Sequence, residues 1–271
     1  MMNLELLGYV ELPENVKPGG FDHAAVHRAS ARLYVAHTAN DALDVIDCVR
    51  DRYSHSIQNL TGVTGALVSD EDNLVFTSIR GENTVGIFAP DNEAGLAKVD
   101  VGIRPNGLAY DPGSGLLLAA NVGDQGVRDS FTLSMVNVGQ HQMITSVRVP
   151  GRTRWTTFDK RAEVFYVNVA DPAQIVVVAS AEPTRVARTI AIPAPGPHGL
   201  DFDSDRQRLF CACDAKQLVI LEADSGEVLK RIELSGSPDV IFFNRVLRRL
   251  YIAIGDPGVV EAFDTEDMKQ L

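Results

Sequence analysis

Cysteine is scarce in this sequence, which contains three Cys among 271 residues. Cys211 and Cys213 lie two positions apart on one predicted strand, a geometry that does not suit a disulfide bond between them. A disulfide-rich scaffold is therefore excluded, and we expect a reducing, cytoplasmic location. The sequence also lacks a CxxC pair, a phosphate-binding loop and a nucleophile elbow. Thiol-redox, nucleotide and serine-hydrolase chemistry are consequently not indicated.

Long hydrophobic runs and an excess of positive charge are also missing. No stretch of about 18 uncharged apolar residues occurs, and the first residues carry Glu5 and Glu11 without a basic region. The sequence therefore predicts neither a membrane-spanning helix nor a signal peptide. The 25 Lys and Arg are outnumbered by 36 Asp and Glu, which gives a net charge of −11. Because this charge repels a phosphate backbone, we expect no nucleic acid and no membrane as partners.

The sequence does contain a repeat of four short strands, seen most clearly from Pro197 to Gly236. The strands are rich in β-branched and aromatic residues and are separated by Asp, Asn and Gly turns. Aligning six copies gives one lead position at the start of each first strand: His23, Gly65, Asn106, Arg154, His198 and Asp239. A period of roughly 40 to 50 residues is typical of a propeller. The sequence therefore predicts an all-β fold, a six-bladed β-propeller of four-stranded antiparallel blades.

The closure of the last blade is a separate prediction. We expect residues 1–271 to form a single propeller domain, with blades at roughly 20–60, 61–103, 104–151, 152–194, 195–236 and 237–271. The sixth copy shows only three strands, whereas residues 3–12 have the pattern of an orphan strand. We predict that this N-terminal strand completes the last blade and removes a long exposed edge. The alternative is that a further blade is missing at the C-terminus.

The repeats resemble the YVTN family of β-propeller repeat proteins. Five segments carry the resemblance: Pro105-Asn106-Gly107-Leu108, Pro197-His198-Gly199-Leu200, Leu33-Tyr34-Val35-Ala36-His37, Asn83-Thr84-Val85 and Val45-Ile46-Asp47. The resemblance covers nearly all of the chain and implies a propeller. It implies little about chemistry, because the family includes binding proteins and lyases, and a fold does not define a function.

Closing six blades into a ring would gather the lead residues at one mouth of a central channel. Along one arc we expect His198, Asp239 and His23, with His37 behind His23, a set that matches the ligands of a catalytic divalent metal. Zinc or a similar transition metal is favoured, and calcium stays open. Such a metal could activate a bound water. The alternative is that these polar residues are ordinary parts of a hydrated channel.

Three further residues are candidates for catalytic roles. Asp22 is a candidate base or a residue that orients a metal ligand. Arg154 is placed to stabilise developing negative charge, and Asn106 to position the substrate. The nine residues 122–130 extend the third copy and are a candidate lid with Gly123 and Gly126 as hinges. A hairpin without a role is the alternative for that segment.

A looser resemblance connects the chain to gluconolactonase and paraoxonase-like six-bladed hydrolases. That resemblance implies a divalent ion held by Glu, Asn and Asp, and the sequence is similar to it only at Asn106 and Asp239. His23 stands where those families have Glu, which favours a metal that prefers nitrogen ligands and weakens the inference of lactonase activity.

The resulting hypothesis is a metal-assisted hydrolase that acts on small esters, lactones or phosphotriesters. These small-molecule substrates lack strong charge and suit an acidic protein. Two alternatives remain open: a metal-dependent lyase, and a non-catalytic propeller that binds a ligand or a protein. The oligomeric state is left open.

Overall fold

The computed structural model describes residues 7–271 and shows an all-β chain. Two compact units divide the chain, an N-terminal unit that ends at Arg148 and a C-terminal unit that begins at Val149. Within residues 7–271, six four-stranded antiparallel sheets are formed, and each sheet orders its strands as they follow one another in the chain. These sheets correspond to the six predicted repeats.

The N-terminal unit contains three of the sheets. The first consists of β1 (Phe21–His27), β2 (Arg32–His37), β3 (Ala42–Asp47) and β4 (Arg52–Ile57). The second consists of β5 (Val63–Ser69), β6 (Leu74–Ile79), β7 (Thr84–Ala89) and β8 (Asn92–Asp100). The third consists of β9 (Pro105–Asp111), β10 (Leu116–Asn121), β11 (Thr132–Asn137) and β12 (Gln142–Arg148).

The C-terminal unit contains the other three sheets. The fourth consists of β13 (Thr153–Asp159), β14 (Val164–Val169), β15 (Gln174–Ala179) and β16 (Arg188–Ala191). The fifth consists of β17 (Pro197–Asp203), β18 (Arg208–Cys213), β19 (Gln217–Glu222) and β20 (Val228–Glu233). The sixth consists of β21 (Pro238–Asn244), β22 (Arg249–Ile254), β23 (Val259–Asp264) and β24 (Lys269–Gln270).

Helical structure is limited to one short 3₁₀ turn within residues 7–271, at Thr38–Asn40. No helix long and apolar enough to cross a membrane occurs among these residues.

Apolar side chains from neighbouring sheets form the core of each unit. In the N-terminal unit, Tyr34 and Leu43 of the first sheet are buried against Val75 of the second. In the C-terminal unit, Tyr166 of the fourth sheet is buried against Leu209 and Val219 of the fifth. Burial of a side chain of this size stabilises a fold by about 1.5–3 kcal/mol. Face-to-face packing of consecutive sheets therefore holds the first strands of neighbouring sheets close together.

A side-chain hydrogen bond terminates the first strand of every sheet. The last residue of that strand accepts a hydrogen bond from a backbone N–H two or three positions further on, which closes the turn into the second strand. The acceptors are His27, Ser69, Asp111, Asp159, Asp203 and Asn244. The Asp turn recognised in the sequence is thus a structural signal, and an imidazole or a hydroxyl replaces the carboxylate in the first two sheets.

The residues that end β1 and β5 show that the sequence alignment of the first two repeats is shifted by one residue. The second residue of each first strand is the equivalent position, and these residues are Asp22, Thr64, Asn106, Arg154, His198 and Asp239. The sequence alignment is one residue too late in the first two copies, at His23 and Gly65, because their first strands end on His27 and Ser69 rather than on an Asp. Alternate residues of a strand point to opposite faces. His23 is therefore equivalent to Gly199 rather than to His198.

The last sheet also differs from the prediction. Its fourth strand is the short β24, which pairs with Phe263 and Asp264 of β23. Residues 7–12 of the predicted N-terminal closing strand form no strand, and the rest of that segment lies outside the described residues. After the turn that follows β23, the two residues Lys269–Gln270 extend back along that strand. A strand of two residues is too short to recognise in the sequence, so the prediction missed it.

The turn acceptors provide a test of what stabilises the fold. Asp203 is fully buried and, besides accepting backbone hydrogen bonds, forms an ion pair with Arg248 at 3.1 Å. Removing the Asp203 side chain takes away this ion pair and the turn hydrogen bonds from the backbone of Asp205 and Arg206, whereas Arg248 keeps its ion pair with Asp205. Because hydrogen bonds to a charged group contribute about 1.5–3 kcal/mol each, we expect Asp203→Ala to lower the free energy of unfolding by about 3 kcal/mol, measured by urea denaturation.

Asn244→Ala is the matched control, because Asn244 makes the same type of turn hydrogen bond and its uncharged amide forms no ion pair. The loss of one such hydrogen bond should cost about 1 kcal/mol. Equal losses for the two variants would contradict the importance assigned to the Asp203–Arg248 pair.

Candidate functional site

A β-bulge or similar irregularity lies next to the second residue of each first strand. In β17, for example, the pairing with β18 shifts register between Pro197 and Gly199. The other five first strands show the same irregularity at the equivalent point. Bulges release a residue from regular pairing and redirect its side chain, and they are frequent beside functional sites. The backbone therefore presents one side chain at the start of every first strand.

In the C-terminal unit, three of these side chains form a cluster with Asp214. The Nδ1 atom of His198 lies 2.7 Å from an Asp214 oxygen. The Nε2 atom of the same ring lies 3.1 Å from Nη1 of Arg154 and 3.2 Å from an Asp239 oxygen. Arg154 also donates to Asp214 at 3.3 Å. We name these four residues the His198 cluster.

The protonation state of His198 decides which of the Nε2 contacts is a hydrogen bond. A neutral ring that donates through Nδ1 to Asp214 can accept at Nε2 from Arg154, whereas a protonated ring donates to Asp239 instead. Burial lowers the pKa of His198, but the hydrogen bonds to Asp214 and Asp239 outweigh burial and the charge of Arg154 and raise it. Nε2 can thus either accept a hydrogen bond from Arg154 or donate one to Asp239, depending on the protonation of the ring.

The carboxylate of Asp214 anchors the cluster. Burial tends to raise the pKa of Asp214, but the hydrogen bond from His198 and the positive charges of His198 and Arg154 lower it below its ordinary value. An ionised Asp214 holds Nδ1 in its protonated form and stabilises the imidazolium. Sequence reasoning missed Asp214. The available signal was its place directly after Cys213, at the end of β18, which pairs with the start of β17.

Two contacts fix the backbone beneath His198. The buried side chain of Asn168, on β14, donates through Nδ2 to the carbonyl oxygens of His198 and Gly199, both at 3.0 Å. Gly199 lies so close to β21 that a Cβ atom there would be 2.9 Å from the carbonyl oxygen of Asp239. Only glycine permits this approach, which brings His198 and Asp239 together.

The predicted residues of the N-terminal unit have different partners. His23 is largely buried, and its Nδ1 lies 2.5 Å from an oxygen of Asp22. Asn106 is also buried and accepts a hydrogen bond from Nη2 of Arg80 at 2.7 Å. Arg80 directly follows β6 and was not identified from the sequence. Asp22 and Asn106 occupy equivalent positions, the second residues of β1 and β9, but they contact different partners.

His37 belongs to a buried polar chain. Its Nδ1 lies 2.7 Å from Asp44, and its Nε2 lies 2.7 Å from the Oδ1 atom of Asn15. Asp44 in turn accepts a hydrogen bond from Ser56 at 2.6 Å. Both ring nitrogens are therefore engaged by neighbouring side chains.

These contacts bear on the predicted metal set of His23, His37, His198 and Asp239. A metal-bound imidazole must offer an unprotonated nitrogen, but Nε2 of His198 faces a guanidinium and both nitrogens of His37 are hydrogen-bonded. Among residues 7–271, no group of three or more His, Cys, Asp or Glu side chains is arranged to hold a metal ion. A metal at His37 or His198 would have to displace these contacts, and a bound metal stays a prediction.

The predicted lid, residues 122–130, is held at its base. Backbone hydrogen bonds join Val122 to Arg104 and Gly123 to Ile103, both at 2.9 Å. The hydroxyl of Ser130 closes the loop by donating to the carbonyl oxygen of Asp124 at 2.7 Å. Gly123 has a φ of +70°, a conformation that favours glycine. A lid role for this loop stays a prediction.

Comparison with known proteins identifies the fold. A solved structure titled Kuenenia stuttgartiensis hydrazine synthase is similar to this chain, with a TM-score of 0.79 and 14% sequence identity. The match covers 96% of this chain and 81% of that one. The fold is an all-β, six-bladed β-propeller. At this identity the likeness concerns the fold alone.

The sequence comparisons are negative. No family model matches the chain, and no curated protein matches it. The structural match confirms the propeller prediction. The finer resemblances to the YVTN and gluconolactonase families are not confirmed by any of these comparisons.

The His198 cluster can be tested by titrating the imidazole. We expect Asp214→Asn to lower the pKa of His198, because an amide loses the negative charge that stabilises the imidazolium. Arg154→Gln should raise this pKa, because it removes a neighbouring positive charge. The measurement is an NMR pH titration of the six histidines, with His198→Gln used to assign the resonance.

His141→Asn serves as the control for this titration, since His141 lies exposed in the turn between β11 and β12. Shifts of the same sign in both cluster variants would contradict the geometry described above.

Proposed function

We propose that this propeller is a hydrolase of small ester-type substrates and that His198 is its general base. The substrate class is that of esters, lactones and phosphotriesters. One observation carries the proposal: the hydrogen bond that Nδ1 of His198 donates to Asp214 directs Nε2 toward Arg154 and Asp239, at the start of a bulged strand. An imidazole oriented by a carboxylate is a recurring arrangement in acid–base catalysis.

The proposed chemistry begins with the neutral ring. Nε2 removes a proton from water while the water oxygen bonds to the carbonyl carbon or to phosphorus. Asp214 stabilises the imidazolium that results, and Arg154 stabilises the negative charge that develops on the substrate oxygen. The bond to the leaving group then breaks, and the imidazolium returns its proton to the departing alkoxide. Ester and water become acid and alcohol, and the ring is neutral again.

Activity assays test this proposal directly. We expect turnover of p-nitrophenyl acetate, δ-valerolactone or diethyl p-nitrophenyl phosphate by the purified protein. His198→Gln should lower kcat about a hundredfold or more, the contribution typical of a general base. The matched control is His141→Gln, which removes an exposed histidine outside the cluster and should leave kcat unchanged. Equal activity of the two variants would exclude His198 as the base.

The pH dependence gives a second test. A general base acts in its deprotonated form, and the pKa of His198 is raised above its ordinary value. We therefore expect kcat/KM to rise with pH and to level off above this raised pKa. Asp214→Asn should move the inflection to lower pH, because the amide no longer stabilises the imidazolium. An inflection that does not move in this variant would point to another base.

A divalent metal remains a separate part of the proposal, with His23, His37, His198 and Asp239 as its predicted ligands. Elemental analysis of protein purified without chelators tests it. We expect about one equivalent of zinc or a similar metal, as in mononuclear catalytic sites, and loss of that metal in Asp239→Ala. A metal content far below one equivalent would remove the metal from the proposal. The roles of Asp22 and Asn106 remain predictions.

A binding function is the second candidate. The contacts of Nε2 with both Arg154 and Asp239 favour it, because they already satisfy the ring without any substrate. Ligand binding without turnover of any ester would support this candidate. A lyase would use the same base on a C–H bond, and hydrolysis in ¹⁸O-labelled water separates the two reactions, since only a hydrolase incorporates solvent oxygen.

A further inference from the structure

A cleft in the C-terminal unit lies next to the His198 cluster. Its volume is about 510 Å³, within the range of about 300–1,000 Å³ that is typical of small-molecule sites. One wall is the turn between β14 and β15, which contributes Ala170, Asp171 and Ala173. The other wall is the loop between β16 and β17, which contributes residues 192–196. We name this cleft the apolar groove.

The lining of the apolar groove is almost free of charge. Ile192 and Ala194 are buried members of a hydrophobic cluster, and Ala173 packs against the same cluster. Asp171 is the one charged side chain among the eight residues that line the groove, and it is exposed. Burial of a charged or polar group without a hydrogen-bonding partner is unfavourable. The groove therefore fits an apolar, uncharged group better than a charged one.

Both walls of the groove continue from segments that hold His198. The turn begins two residues after Asn168, whose amide donates hydrogen bonds to the carbonyl oxygens of His198 and Gly199. The loop ends at Gly196, whose carbonyl oxygen accepts a hydrogen bond from the backbone N–H of Asp214 at 2.8 Å. A Cβ atom at Gly196 would lie 2.9 Å from a carboxylate oxygen of Asp214. The groove thus reaches the carboxylate that orients the imidazole.

The strand directions place the groove and the His198 cluster at the same end of their sheets. β13 begins where β14 ends, as the pairing of Thr153 with Val169 shows, and β17 likewise begins where β18 ends. Arg154 and His198 are the second residues of β13 and β17. A molecule whose ester group lies at Nε2 of His198 can therefore extend into the groove without crossing a sheet.

The size of the groove and the charge of the chain indicate what occupies it. Eight residues line the groove, whereas a stable protein interface uses about 20–30 residues on each side. The net charge of −11 repels anions but not neutral molecules. Small-molecule sites combine an apolar lining with a few polar groups that fix orientation, and here the His198 cluster supplies the polar groups.

We infer that the apolar groove binds the alkyl chain of the acyl group of an ester substrate. The inference rests on the hydrolase assigned in the proposed function and specifies its substrate class: neutral esters with an acyl chain of several carbons are preferred over acetyl esters. The ester group lies at His198 and Arg154, and the chain lies between the turn after β14 and the loop before β17.

A series of p-nitrophenyl acetate, butyrate and hexanoate tests the preference. We expect kcat/KM to rise about threefold for each added CH₂, slightly below the roughly fourfold effect of complete burial. Most of the increase should come from a lower KM, because the groove holds the chain equally in the ground state and the transition state. A kcat/KM that does not rise along the series would overturn the inference.

Larger side chains in the groove supply the matched variants. Ala173→Leu should abolish the rise of kcat/KM with chain length, because leucine occupies the space of the chain. Ala170→Leu is a second filled variant on the same wall. The control is Ala162→Leu, the same substitution at an exposed position in the turn at the opposite end of the fourth sheet, which should retain the rise. An equal rise in both filled variants and in the control would overturn the inference. Far-ultraviolet circular dichroism verifies that each variant is folded.

Binding of 1-hexanol gives a measurement that does not depend on turnover, because this alcohol has no bond to hydrolyse. Trp155, the single tryptophan, packs against the same hydrophobic cluster as Ile192 and Ala194 and serves as the fluorescent reporter. We expect a saturable change with 1-hexanol, and a concentration at half saturation about ninefold higher with 1-butanol, which has two CH₂ groups fewer. Ala173→Leu should abolish this response, and Ala162→Leu should retain it.

The two measurements separate failure of the groove from failure of the hydrolase. Saturable 1-hexanol binding that the filled variants lose, without hydrolysis of any ester, would support the groove as an alkyl-binding site and remove the hydrolase. Ester hydrolysis without a chain-length preference and without 1-hexanol binding would retain the hydrolase and overturn the inference. A groove that serves a protein partner would show no saturable 1-hexanol binding, which also overturns it.

Discussion

Close contact between the first strands of neighbouring sheets is the constraint on which the candidate site depends. β17 approaches β21 so closely that residue 199 has no room for a side chain, and glycine occupies the position. Asn168 holds the same stretch of β17 from the other neighbouring sheet by donating to two successive carbonyl oxygens. The backbone of His198 is therefore fixed from both sides, and Asp214 orients its imidazole ring.

The repeated bulge presents one side chain at the point where the backbone is constrained. The same strand start occurs in all six sheets, so the fold offers an equivalent side-chain position in each repeat. In the C-terminal unit these positions hold Arg154, His198 and Asp239, three groups whose charges depend on one another. The resulting network engages both nitrogens of the buried imidazole, as buried polar groups require, and leaves the ring able to adopt either charge state. The backbone at the start of the first strand is similar in all six sheets, whereas the residue at its second position differs from sheet to sheet.

The turn acceptors show how strongly the repeat is specified by local chemistry. Each first strand ends on a side chain that can accept a backbone hydrogen bond, and the identity of that side chain is secondary. A carboxylate and an imidazole are interchangeable in this role, as Asp203 and His27 show. An alignment based on residue type alone misplaces the first two repeats by one position. In a strand such a shift exchanges the two faces, and His23 was consequently assigned to the wrong one.

The amino-acid sequence by itself determined the all-β class, the six repeats and most strand positions, because alternating apolar residues and turn-forming residues are local signals. It also identified Arg154, His198 and Asp239 as equivalent residues. Tertiary structure decided what these residues contact: Asp214 joins the cluster because the end of β18 pairs with the start of β17, and His37 is instead buried against Asp44 and Asn15. Contacts of this kind depend on distances between strands that are set by packing, and no local pattern in the chain records them.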